Sequence, residues 1–69
     1  MTADATLLQM KYARIISLLV QRANIEEEKA MELFYNSNTY MLMSKGISDF
    51  HCLSDAYLAD EILRERKER

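Results

Sequence analysis

A chain of 69 residues that contains no proline and one glycine, Gly46, has few ways to fold. Proline fixes φ and lacks a donor, glycine opens left-handed backbone, and between them they punctuate loop-rich and sheet-rich folds. A short chain nearly free of both is expected to be all-α, with helices joined by tight polar turns. The length admits a single domain over 1–69, with fraying expected at 1–4 and 66–69. A domain of this size buries only about 60% of the surface its unfolded chain exposes, which leaves a partner or a second copy room to matter.

Apolar residues make up 49% of the chain and charged residues 29%, the balance of an ordinary globule rather than of a disordered tail. Nine Lys and Arg against eleven Asp and Glu leave a net charge of −2, which argues against a nucleic-acid binder held by phosphate contacts. The basic cluster Arg64, Arg66, Lys67 and Arg69 alternates with Glu65 and Glu68 and suits the negative end of a last helix. A lone cysteine, Cys52, rules out an internal disulfide, and the N-terminus lacks the pattern of a signal peptide. The apolar run from Ile15 to Val20 falls far short of the roughly 20 residues that span a bilayer, so no membrane role and a cytoplasmic location are expected.

Leu8, Tyr12, Ile15, Ile16, Leu19 and Ala23 recur at helical spacing and define the core stripe of a first helix running from about Asp4 or Thr6 to Arg22. Leu7, Met10, Leu18 and Val20 lie outside that stripe and leave only a narrow polar strip of Arg14, Ser17 and Gln21. A helix apolar on most sides is either central to its domain or paired with something else. Asn24, with Glu27 three residues on, has the spacing of a capping box for a second helix, whose first turn would carry Glu26, Glu27 and Glu28 at the positive end of its dipole. Ala30, Leu33, Phe34 and Ser37 form the expected inner face there, with Met31 at its border.

The short polar residues Asn36, Ser37, Asn38 and Thr39 compete for backbone hydrogen bonds and should break the helix. A short third helix is expected over about Thr39 to Lys45, capped by Gly46 in left-handed backbone, with Ile47 folded back over its end. Ser54 reads as the N-cap of a last helix, Asp55 as its first turn, and Leu53 with Leu58 as a hydrophobic staple. Leu58, Ala59, Ile62 and Leu63 form the inner face of that helix, and Asp60 with Arg64 and Glu65 with Arg69 are spaced as helical ion pairs.

The chemically suggestive cluster is Asp49, His51, Cys52 and Asp55. Cys52 deprotonated by His51 would be a nucleophile, but adjacent side chains diverge, and no third member or oxyanion hole is evident. Cys52 is more simply a small buried hydrophobe. Structural zinc uses repeated Cys and His ligands, and a chain with one of each has no such set unless a second copy supplies more. No catalytic residue, metal or cofactor is therefore expected.

The segments Glu32-Leu33-Phe34-Tyr35-Asn36-Ser37, Thr39-Tyr40 and Asp49-Phe50-His51-Cys52-Leu53-Ser54-Asp55-Ala56-Tyr57-Leu58 resemble an uncharacterised bacterial family called domain of unknown function thirty-seven ninety-one. The apolar positions of the first helix and the Asn24 turn fit the same pattern. The resemblance implies a small helical protein of anaerobic bacteria with no established enzymatic activity. It also implies genes for ADP-ribosyltransferase-like proteins nearby, an arrangement suggestive of a toxin and its small partner.

Tyr35, Tyr40, Met41 and Tyr57 form a candidate interaction surface of the aromatic and methionine types enriched at interface cores, unless they simply complete the core. The expected architecture is a compact all-α bundle of three principal helices plus one short helix. The expected function is a non-catalytic protein-interaction module, with a protein partner and a homodimer both open. The alternative is a small DNA-binding regulator of helix-turn-helix type, reading DNA through the third helix. Its weakness is that Tyr40, Met41, Leu42 and Met43 suit a core better than a phosphate-lined groove.

Overall fold

A computed structural model describes residues 5–45 and 53–67. Four helices follow one another with no strand among the described residues: α1 (Ala5–Ala23), α2 (Glu27–Tyr35), α3 (Asn38–Ser44) and α4 (Asp55–Lys67). The radius of gyration, 11.3 Å, matches the ~11 Å expected of a compact domain of this length. The expected all-α bundle is therefore the observed one. Gly46, Ile47, Asp49, His51, Cys52 and Arg69, on which several expectations rest, lie outside the described residues.

The core forms where the helical stripes meet. Ile15 and Leu19 of α1, Phe34 and Ala30 of α2, and Leu58, Ala59 and Ile62 of α4 are fully enclosed, with Tyr12, Ile16 and Met43 nearly so. Leu8, Leu18, Val20, Leu33, Tyr40, Leu53 and Leu63 pack around this centre. α1 is thus the central element, as its broad apolar surface requires, and its most extensive partner is α4.

The first turn differs from the expectation. Asn24 does not cap α2; it stands at φ 55 beyond the end of α1, where the Ile25 amide donates to the Val20 carbonyl at 3.3 Å. This is the six-to-one bond of a Schellman end, and asparagine is the residue after glycine that best tolerates the left-handed position. The N-cap of α2 is Glu26, whose side chain makes no capping bond, while its carbonyl accepts from Ala30 at 2.9 Å. The capping-box spacing is present in the chain, but its asparagine serves the preceding helix.

Between α2 and α3 a single buried hydroxyl does double duty. Ser37 donates to the Phe34 carbonyl at 2.6 Å and accepts from the Tyr40 amide at 3.0 Å, which ends one helix and starts the next. It therefore leaves the inner face of α2, where its spacing puts it, and becomes the N-cap of α3. α3 accordingly spans Asn38–Ser44, one residue earlier at each end than expected.

Ser54 caps α4 as expected, accepting from the Tyr57 amide at 3.1 Å. The expected Asp60–Arg64 pair of α4, however, does not form, and Arg69, the expected partner of Glu65, lies outside the described residues. Asp60 bonds Arg22 of α1 rather than Arg64, Arg64 pairs with Glu61 at 3.2 Å, and Glu65 turns to the start of α3. In that contact the Glu65 carboxylate accepts from the Asn38 amide at 2.7 Å, the Thr39 amide at 3.1 Å and the Thr39 hydroxyl at 2.6 Å. A carboxylate from a remote helix thus satisfies the free amides at the positive end of α3.

Candidate protein-interaction surface

Two sides of α1 have opposite chemistry. On the α4 side, Lys11 donates to Asp55 Oδ1 at 2.7 Å, Arg14 donates to Asp55 Oδ2 at 2.6 Å, and Arg22 reaches both Asp60 and the Ala56 carbonyl. The paired positions advance in the same sense along α1 and α4, so this seam is a run of ion pairs above the apolar core. Burial alone would raise the Asp55 carboxyl, but its hydrogen bonds and charge contacts with Lys11 and Arg14 outweigh this and hold it below the usual carboxylate range.

On the α2 side lies a groove of about 340 Å³ lined by Ala13, Ile16, Val20, Met31, Tyr35 and Tyr12, with Gln9, Ser17 and Glu27 at its rim. α1 and α2 run antiparallel here, since Tyr12 meets Phe34 with ring centroids 5.2 Å apart. One end of the groove is therefore aromatic, at Gln9, Tyr12 and Tyr35. The other lies at Val20 and Glu27, with the exposed Glu26 and Glu28 next to Glu27 in the chain.

The aromatic end is the outer part of a cluster of four rings. Tyr40 packs on Phe34 at 5.1 Å, on Tyr35 at 4.9 Å edge-on and on Tyr12 at 5.6 Å, while Tyr35 meets Phe34 at 5.0 Å. Such tilted and edge-on pairs each add about 0.5–1.5 kcal/mol beyond area burial. Tyr12, enclosed by these neighbours, has its phenol pushed upward first by burial and then by the neighbouring Tyr40 and Tyr35. Tyr35 makes two of the contacts and still stands 42% exposed.

Of the four residues singled out from the sequence, the structure therefore brings Tyr35 and Tyr40 into direct contact. Met41 points away from the buried face of α3 and is 42% exposed. Tyr57, on α4, is 43% exposed and joins no ring pair with the described aromatics. Met31, which the sequence placed at a border, is 41% exposed and lines the groove one turn from Tyr35. Its position relative to Tyr35, i and i+4, was the signal for it.

A second groove of about 350 Å³ lies between α2 and α4, lined by Ile25, Leu33 and Ile62 and by the polar Lys29, Glu32, Asn36, Glu65 and Arg66. Its Glu65 carboxylate is committed to α3, and Lys29 faces Glu32 at 3.9 Å. Among the described residues no group of three or more His, Cys, Asp or Glu converges on a metal-sized site. No helix among them is long and apolar enough to cross a membrane.

No family model, curated protein or solved structure matches the chain.

Proposed function

We propose that this chain is a non-catalytic protein-interaction module that binds its partner through the Tyr35 and Met31 wall of the α1/α2 groove. The observation that carries the reading is Tyr35, packed edge-on against Phe34 and Tyr40 yet left 42% exposed at the mouth of an apolar groove. A ring already ordered loses little freedom on binding, and half-exposed tyrosine and methionine beside a concavity are the residue types that anchor interfaces. The DNA-binding alternative fares worse in this geometry. The N-terminus of α3, where a recognition helix would approach phosphate, is occupied by the Glu65 carboxylate. From the family resemblance, a toxin-like protein encoded nearby is the partner to try first.

The test is co-purification from the native host with wild-type bait and with Tyr35→Asp bait, alongside far-UV circular dichroism of both. A stoichiometric partner retained by the wild type and lost from a variant of unchanged helicity is the expected result. Bait recovered alone in both cases, at a monomer mass, defeats the proposal. A Tyr35→Asp chain that loses its helicity returns the ring to the core and defeats it as well.

A further inference from the structure

The charges around the α1/α2 groove are sorted in a way that says what kind of segment fits it. All three cations of the described part of α1 that face a neighbour are spent on α4: Lys11 and Arg14 on Asp55, Arg22 on Asp60. Lys29 of α2 lines the other groove. The one ionic side chain in the lining is Glu27, continued by Glu26 and Glu28, and none of the three has an ion-pair partner among the described residues. The start of α2 offers a positive half-charge. The full charge of Glu27 exceeds it, and with two further exposed carboxylates beside it in the chain the start of α2 is net negative at the Val20–Glu27 end of the groove.

The groove has an apolar floor, two antiparallel helical walls and no sheet edge, so the segment that fits along it is a helix rather than a strand. Its α1 wall runs from Gln9 to Val20, which at 1.5 Å per residue is roughly 16 Å, or about three helical turns. We infer that this groove takes an amphipathic helix of a partner protein, with lysine or arginine set toward the Val20–Glu27 end and an apolar anchor against Met31 and Tyr35. The inference rests on the interaction reading above and names the chemistry of the partner. A second copy of this chain is a poorer occupant. Its exposed Met10 is flanked by Lys11 and Arg14, but both cations are held by Asp55 of their own chain.

The experiment is a selection of displayed random peptides of about four helical turns against the folded protein. It is followed by fluorescence anisotropy of the best binders with the wild type, with Glu27→Gln/Glu28→Gln, with Met31→Ser and with Tyr35→Asp. The double glutamine variant touches no core residue, and Met31→Ser tests the apolar wall of the groove independently of Tyr35. Selection should enrich helical peptides with apolar residues at i, i+3 or i+4 and i+7 and with Lys or Arg toward one end. Their affinity should fall steeply with salt and about tenfold in the double variant, as expected when two nearby carboxylates are neutralised. Enrichment of acidic or uncharged peptides that still require Met31 overturns the charge assignment and leaves the interaction reading standing. A selection whose products bind Met31→Ser and Tyr35→Asp as well as the wild type overturns both.

Discussion

Asp55 shows how much a single position can gather. It is the first residue of α4, where a carboxylate suits the helix dipole, and it accepts from both Lys11 and Arg14. Because Arg14 is more than half exposed, solvent discounts its share, and Asp55→Asn is expected to cost about 1 kcal/mol at neutral pH. The pH dependence has a definite sign. The folded carboxyl titrates below its unfolded value, so this contribution is complete above the unfolded value and disappears as pH falls from there through the folded one. Urea denaturation of wild type and variant should therefore give separated midpoints at neutral pH that converge in acid; midpoints separated by the same amount throughout would remove Asp55 as the cause. This contact was not legible in the chain, because its partners lie 41 and 44 positions away. What could be read was Ser54 as a cap and Asp55 as a first-turn acid, since both signals are local. Asn24 was misread for a related reason. Asparagine favours both the N-cap and the left-handed end position, and only the fold reveals that the next helix begins after Ile25.

At the scale of elements, α3 depends on its neighbours for its start. Seven residues make too short a helix to persist alone, and its start is held by its own N-cap Ser37, anchored to the Phe34 carbonyl of α2, and by Glu65 of α4. Removing the carboxylate with Glu65→Ala should destabilise the protein by about 1–2 kcal/mol, the range for a lost cap, with Glu65→Gln retaining part of it. Amide hydrogen exchange locates the effect: Asn38 and Thr39 should exchange faster in Glu65→Ala while the central amides of α1 keep their protection relative to global stability. Equal loss everywhere would mean that Glu65 acts on the whole fold and not on the seating of α3. The existence of each helix was evident from periodicity and polar breaks. The seating of α3 was not, because Glu65 in the chain reads as half of a local pair with Arg69.

At the scale of the molecule, stability rests on one small core. Leu19 is fully enclosed among α1, α2 and α4, and Leu19→Ala is expected to cost about 2–5 kcal/mol through lost burial and a residual cavity. That is a large fraction of what a domain of this size possesses, so thermal denaturation should show a midpoint lowered by well over about 10 °C or no cooperative transition at all. A shift of only a few degrees would show that the core collapses around the gap. Because α1 has its most extensive partner in α4, the last of the described helices, order of synthesis matters. During translation α2 and α3 can settle against α1 early, but Ile15 and Leu19 keep one flank open until Leu58, Ala59 and Ile62 have left the ribosome. The emerging chain therefore carries an oily flank on α1 until α4 docks, and a nascent-chain binder has its best hold on this protein in that interval.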